Sequence, residues 1–165
     1  YGQTFKVPDP YIPKVGAKIM SLQDPTRKMS KSDENVNSYV ALLDKPDDIM
    51  RKFKRAITDS DAQVRYGEGK DGINNLMGIY SVMTGKTNEE IEREFDGKGY
   101  GDFKLAVGEA VVDHLRPIQE EFTRLIGDKA YLEQCYTKSA EIALRISQRT
   151  LDKAMKKVGF VKRAF

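Results

Sequence analysis

Apolar and polar positions along the chain fall into two regimes. Over roughly the first 45 residues neither a helical nor an alternating apolar period is sustained. Four of the six prolines, Pro8, Pro10, Pro13 and Pro25, stand here. Proline removes a backbone donor and fixes φ, so the stretch is predicted to be extended connecting chain. Two short runs interrupt it. "AKIMSL" (17–22) allows at most a short strand, and "SYVALL" (38–43) suits either an edge strand or the start of a helix. From Pro46 onward the period becomes helical. Pro46 fits a first turn, with Asp47 and Asp48 near the positive helix end. Ile49, Met50, Phe53 and Ile57 form one apolar stripe, and Arg51, Lys52, Lys54 and Arg55 point elsewhere. After a polar loop (58–71), Ile73, Leu76, Met77, Tyr80 and Met83 form a second stripe closed by Gly85. "TNEE" (87–90) is a capping-box pattern opening a short helix through Ile91 and Phe95, stopped at Gly97. The longest periodic segment runs from Phe103 through Val107, Val111, Leu115, Ile118, Phe122 and Ile126 to Gly127, with a kink or break expected at Pro117. A short helical piece at Tyr131 to Cys135 and a last helix at 138–158, stopped by Gly159, complete the pattern. The expected fold is mainly α: a helix cluster fronted by irregular chain.

Composition narrows the function classes. The 165 residues suffice for one ordinary domain, or a small domain plus a piece of another, and a start at Tyr1 instead of Met suits a fragment. One cysteine, Cys135, excludes an intrachain disulfide and a cysteine-only zinc cluster, and suits a reducing, cytoplasmic setting. Cys135 itself is expected to be a small buried residue. One histidine, His114, removes His-rich metal sites and a catalytic triad, and its helical spacing with Val111, Leu115 and Ile118 reads as a core or helix-face residue. No apolar run approaches the roughly 20 residues of a membrane span, and the opening residues lack the apolar stretch of a signal peptide. Net charge is +3, unevenly spread. Residues 1–58 carry 11 Lys and Arg against 7 Asp and Glu, residues 59–137 carry 9 against 16, and residues 138–165 carry 8 against 2. The two basic ends suit phosphates or nucleic acid, or are solvated faces.

One stretch carries candidate chemistry. "DPTRKMSKSDEN" (24–35) places Arg27, Lys28 and Lys31 with Ser30, Ser32 and Met29 where no helix or strand face is visible. Pro25 and the Ser, Asp and Asn content mark a loop. A donor-rich loop with cations of one sign suits a phosphate chain, the plainer reading being a solvated basic loop. With Met29 its only apolar anchor, it is expected to be irregular and mobile without a ligand. Two other patterns are decoys. "MTGKT" (83–87) resembles the end of a P-loop but has Tyr80 where that motif needs glycine, and a helix precedes it. "GEGKDG" (67–72) matches a dinucleotide fingerprint by letter but has no buried strand before it, so it reads as a turn with Asp71 capping the next helix. Tyr66 and Tyr100, beside glycines, are candidate loop anchors.

The sequence Lys28-Met29-Ser30-Lys31-Ser32 is identical to the KMSKS loop of class I aminoacyl-tRNA synthetases. Its context, "PKVGAKIMSLQDPTRKMSKSDEN", resembles the end of the catalytic domain of the tryptophanyl-tRNA synthetases. "LLDKPDDIMRKFKRAITDS", "GINNLMGIYSVMTG", "GKGYGDFK" and "LRPIQEEF" resemble successive later stretches of that family. The resemblance covers nearly the whole chain. The sister tyrosyl family shares the fold and a related loop, but "GYGDFK" and "LRPIQEEF" resemble the tryptophanyl pattern. Asp71 departs from it, standing where many relatives are expected to have proline.

The resemblance implies a Rossmann-type catalytic domain whose irregular C-terminal edge is residues 1–44, and a helical domain of the tRNA anticodon-binding type at 45–165. It implies a ligase that joins tryptophan to tRNA(Trp) at the expense of ATP, with Mg accompanying ATP and no protein-bound metal. It implies Lys28 and Lys31 as catalytic cations on the leaving pyrophosphate. Ser30, Ser32 and the amides about Met29 would supply further ATP contacts, and Ile19, beside Met20, would pack on adenine. The family is dimeric and needs no membrane. The second ATP motif, of the His-Ile-Gly-His type, and the indole pocket belong to a half that these residues do not include, since the one histidine lies in "VDHLR". The piece alone is therefore expected to be inactive. Two readings of other classes compete: a stand-alone helical RNA-binding module, and a helical protein–protein interaction domain.

Overall fold

The structure, a computed structural model, describes residues 1–13 and 16–161. Among these residues five helices follow one another: α1 (Pro46–Lys54), α2 (Asp71–Thr84), α3 (Asn88–Glu94), α4 (Tyr100–Gly127) and α5 (Lys129–Val158). Among the described residues there is no strand beyond a single antiparallel bridge between Met20 and Lys28. The mainly α fold read from the pattern is the fold observed.

The chain divides into two compact units, and α4 contributes to both. The unit formed by residues 12–120 holds the core. Ile49 and Phe53 of α1, Ile73, Leu76 and Met77 of α2, Ile91 of α3, and Phe103 and Val107 of α4 are each at most 1 % exposed. Tyr80, Phe95 and Phe103 meet edge to face at centroid distances of 4.9–5.8 Å, the arrangement aromatic quadrupoles favour. Close packing has fixed two glycines. A Cβ on Gly72 would stand 2.2 Å from the Ile57 carbonyl oxygen, and one on Gly108 would stand 2.8 Å from Met50 Sδ. Gly85 ends α2 in the left-handed region at φ 75°, as the sequence suggests. The Thr87/Glu90 capping box is present in full at the start of α3.

The second unit takes in residues 1–11 and 121–165. Asp128 caps α5 by accepting the Tyr131 N–H at 3.0 Å, and Lys157 Nζ donates to the Gln3 carbonyl at 2.8 Å. No residue of α5 is buried.

Several expectations are corrected. Of the kink or break expected at Pro117, the break does not occur: α4 runs through that residue. The proline removes one backbone bond, while Phe103, Val107, Val111 and Leu115 seat the preceding turns in the core. The pieces expected at 131–135 and 138–158 are one helix, since no glycine or proline stands between them to stop it. "SYVALL" is neither strand nor helix start. The Ala41 N–H donates to the Asp44 carboxylate at 2.9 Å and the Asp44 N–H to the Ala41 carbonyl, so local side-chain bonding wins over a ladder. Lys52 does not point away from the core: it is 4 % exposed, with its ammonium 2.5 Å from Asp44 Oδ2. Ile57, assigned to the α1 stripe, lies beyond the helix and is half exposed. Asp71 does not cap α2. It is the first helical residue, and Lys70 at the cap position makes no side-chain bond to the helix's free N–H groups. Cys135 is exposed. His114 is exposed on α4, as a helix-face residue is.

Candidate ATP-loop site

Every part of the site lies in the unit of residues 12–120. Its base is the short run 19–22. The Ser21 N–H donates to the Arg27 carbonyl at 2.8 Å, and the Met29 N–H to the Ile19 carbonyl at 3.0 Å. These two bonds flank the Met20–Lys28 pair and fold residues 21–28 into a tight hairpin. The turn is built from its own side chains. Ser21 Oγ accepts the N–H groups of Gln23 and Asp24, both at 3.2 Å. Asp24 Oδ1 accepts the Thr26 N–H at 3.1 Å and its hydroxyl at 2.6 Å. The hydroxyl bond, followed by the backbone one, holds the Asp24 carboxyl below its usual range. Leu22 closes the base: it is 2 % exposed, its N–H donates to the Ser38 carbonyl at 3.0 Å, and its carbonyl accepts the Ile57 N–H at 2.8 Å.

Beyond the hairpin the chain is irregular, as the sequence predicts. Short-range bonds shape it: Ser30 Oγ accepts the Ser32 N–H at 3.2 Å, Asp33 Oδ1 accepts the Asn35 N–H at 2.9 Å, and Asn35 Oδ1 accepts the Asn37 N–H at 3.0 Å. Serine, aspartate and asparagine each satisfy a backbone donor two residues on, so the stretch keeps a defined path without a ladder. Arg51 fastens its far end to α1, donating to Asn37 Oδ1 at 2.8 Å and to Asp48 Oδ1 at 2.6 Å.

The predicted site residues are placed as follows. Ile19 and Met29 are half-buried, joined through the backbone bond above, and both pack on the core. Lys28 stands opposite Met20, and Lys28, Ser30, Lys31 and Ser32 are all exposed. Neither Lys28 nor Lys31 is in an ion pair with a described residue. Ser30 Oγ already accepts one bond, which leaves its proton to donate outward. The loop thus presents two compact cations and hydroxyl donors on a path pinned at both ends, which is what a phosphate chain needs. An open cleft of about 760 Å³ lies beside the base, between Lys18, Ile19, Met20 and Pro25 on one side and Asn74 and Asn75 of α2 on the other.

Asn75 is the residue that the sequence did not disclose. Its amide oxygen accepts the Met20 N–H at 2.8 Å, and its amide nitrogen donates to the Met20 carbonyl at 2.9 Å. The only sequence signal was a polar residue within an apolar helix face, between Ile73 and Leu76.

A second polar cluster stands apart from the loop. The Tyr100 hydroxyl donates to Asp59 Oδ1 at 2.6 Å, and Lys70 Nζ bonds Asp61 and lies 3.8 Å from Asp59. Burial, then the bond to Asp59, pushes the Tyr100 hydroxyl up to about 12. Burial raises Asp59, but the bonds from Tyr100 and the Asp61 N–H and the nearby Lys70 charge outweigh it and hold the carboxyl below its usual range. Tyr100 is thus the loop anchor expected of it, whereas Tyr66 is 56 % exposed. The two decoys serve other ends: Gly85 is the α2 cap, and the Gly67 turn is closed by Asn74, bonded to its N–H and carbonyl at 3.0 and 2.7 Å.

The family model of class I tRNA synthetases for W and Y matches residues 1–116. The chain is 50% identical over 161 residues to the tryptophan–tRNA ligase of Wolinella succinogenes, a match covering 98% of this chain and 49% of that protein. It is 48% identical to the tryptophan–tRNA ligase of Clostridium tetani, over 98% of this chain and 48% of that one. Among solved structures, tryptophanyl-tRNA synthetase from Mycoplasma pneumoniae is similar at a TM-score of 0.80 and 28% identity, over 90% of this chain and 45% of that chain. The chain spans about half the length of the curated relatives it matches. A match over 1–116, running from the proline-rich opening through the pinned basic loop into α4, makes this chain a member of the class I tRNA synthetase family for tryptophan and tyrosine.

Proposed function

We propose that the chain is the C-terminal half of a tryptophan–tRNA ligase, supplying the loop that grips ATP and helices that bind tRNA(Trp). The observation that carries this reading is the pair Lys28 and Lys31, exposed and without an ion-pair partner among the described residues, on a loop pinned at both ends. Identity near one half to tryptophan–tRNA ligases supports the choice of amino acid. In the reaction the carboxylate of tryptophan attacks the α-phosphate of ATP, taken as its Mg complex, and pyrophosphate leaves with the bonding electron pair. Lys28 and Lys31 neutralise the negative charge that grows on the pyrophosphate, and Ser30, Ser32 and loop amides donate to its oxygens. Ile19 offers an apolar surface to adenine. The protein's contribution is position and charge, with no covalent step on the enzyme.

In this reading residues 1–44 are the last part of the catalytic domain and residues 45–165 the helical tRNA-binding domain. The full-length enzyme is a cytoplasmic homodimer. No helix among the described residues is long and apolar enough to cross a membrane. The 165 residues contain neither a His-Ile-Gly-His type motif nor a Thr-Ile-Gly-Asn one, so half of the ATP site and the indole pocket come from elsewhere. Pyrophosphate exchange tests this directly. The purified chain should give background exchange with tryptophan and ATP, and the full-length parent should give exchange that depends on tryptophan and not on tyrosine. Tryptophan-dependent exchange by the chain alone overturns the half-site reading, and tyrosine dependence of the parent overturns the choice of amino acid.

A further inference from the structure

We propose that Asn75 of α2 is a positioning residue for the lysine loop, setting its register against the helical body; the proposal rests on the catalytic reading of that loop. Met20 and Lys28 face each other as a pair that exchanges no hydrogen bonds, flanked by the Ser21–Arg27 and Ile19–Met29 bonds. In such a pair each residue's own N–H and C=O point away from its partner, toward the place of a third strand. Among the described residues no third strand takes that place. The carboxamide of Asn75 occupies that place, accepting from the Met20 N–H at 2.8 Å and donating to the Met20 carbonyl at 2.9 Å.

The geometry makes this link specific. Asparagine matches the donor and acceptor of one residue on a strand edge with a single rigid plane. Asn75 is 9 % exposed, so water does not readily replace it, and a Met20 peptide group without it would be left unsatisfied. Its neighbours Ile73, Leu76 and Met77 are at most 1 % exposed, so its backbone is fixed in the core. From that fixed point bonds lead outward: Asn75 holds Met20, and the residues on either side of Met20 cross the hairpin, Ser21 to Arg27 and Ile19 to Met29, so that Lys28 is held between two bonded neighbours. Leu22 is bonded to Ser38 and Ile57, and this second fastening keeps the hairpin attached when the Asn75 link is lost. Loss of Asn75 should therefore shift the loop's aim without releasing the loop. Adenylate formation depends on where the lysines stand as pyrophosphate leaves, so a small misplacement is read as rate.

The test uses the full-length parent in single turnover, with three variants at equivalent positions. Asn75→Asp keeps volume and the acceptor for the Met20 N–H but turns an oxygen toward the Met20 carbonyl, and Asn75→Ala removes both bonds. Lys31→Ala reports on the loop itself. Adenylate formation is followed for rate constant and amplitude against ATP concentration, with tryptophan binding measured beside it. A purely structural role lowers the amplitude through loss of folded enzyme and leaves the rate constant alone. The proposal expects both Asn75 variants to lower the rate constant about tenfold, the effect of a buried hydrogen bond left unmade, with tryptophan affinity unchanged. If Lys31→Ala slows the step and both Asn75 variants run at the wild-type rate constant, the positioning role is overturned and the catalytic loop stands. If Lys31→Ala itself runs at the wild-type rate, the loop reading falls and this inference falls with it.

Discussion

Lys52 carries a charge into the core, at 4 % exposure, and Asp44 Oδ2 meets it at 2.5 Å. Its ammonium also lies 5.0 Å from the centre of the Tyr39 ring. The two partners are not equivalent. Asp44 is partly open and accepts the Ala41 N–H as well, whereas Lys52 is closed in. Removing the carboxylate strands a buried cation, at a cost of about 3–5 kcal/mol. Removing the cation leaves an anion that water and a backbone donor still reach. Asp44→Ala should therefore destabilise the chain by about 3 kcal/mol or more, and Lys52→Met by clearly less. Urea unfolding of both variants checks the order, and the reverse order contradicts this account of the pair. Tyr100 gives a test in pH. Its hydroxyl is raised to about 12 by burial and by the bond to Asp59. A raised folded value means a stabilising contribution that is complete below the ordinary tyrosine range near 10 and is lost as pH climbs toward 12. Tyr100→Phe should cost about 1.5–3 kcal/mol at neutral pH, the range for a hydrogen bond to a charged group. The gap from wild type should narrow between pH 10 and 12, and a constant gap in denaturant melts across that range contradicts the assignment.

The helices were legible in the sequence where a local device makes them. The box at α3 is spelled out in Thr87 and Glu90: Thr87 Oγ1 accepts the Glu90 N–H at 3.3 Å, and Glu90 Oε2 accepts the Thr87 N–H at 2.8 Å. Thr87→Ala should lower stability by about 1 kcal/mol, mostly as faster hydrogen exchange over the first turn of α3. Exchange rates unchanged in that turn rule out the box as its anchor. Lengths were less legible than existence. Pro117 marks a missing bond but says nothing of how firmly the preceding turns are seated, and those turns are held by Val107, Val111 and Leu115. The short polar run before residue 138 looks like a gap by periodicity, yet nothing in it stops a helix, and α5 runs through. "SYVALL" failed as strand or helix because Asp44, just past its end, takes the Ala41 N–H. At Pro117 and in "SYVALL", packing or a side chain outside the segment decided the outcome. Lys52 was misassigned for the same reason: a stripe argument sends every charge outward, and the pairing with Asp44, eight residues earlier, is a matter of tertiary position.

For the molecule as a whole, the site was legible by its letters but not by its support. Lys28, Met29, Ser30, Lys31 and Ser32 stand where the sequence places a loop, with the lysines exposed. The hairpin beneath them was visible only as a short apolar run, because its ladder is a single bridge. Asn75 was invisible, since its partner lies 55 residues away and no periodicity links them. The family match covers residues 1–116, the loop included, and the chain spans about half the length of the curated relatives it matches. The central claim is that the exposed lysines stabilise charge on departing pyrophosphate. The most direct measurement is the single-turnover rate of adenylate formation by full-length parent enzyme carrying Lys31→Ala, with tryptophan affinity and thermal melting recorded alongside. The account predicts a rate lower by roughly 10²–10³, equivalent to about 2.7–4 kcal/mol of transition-state stabilisation, with affinity and melting temperature held. A rate near wild type, or a loss that appears only as a lower melting temperature, contradicts it.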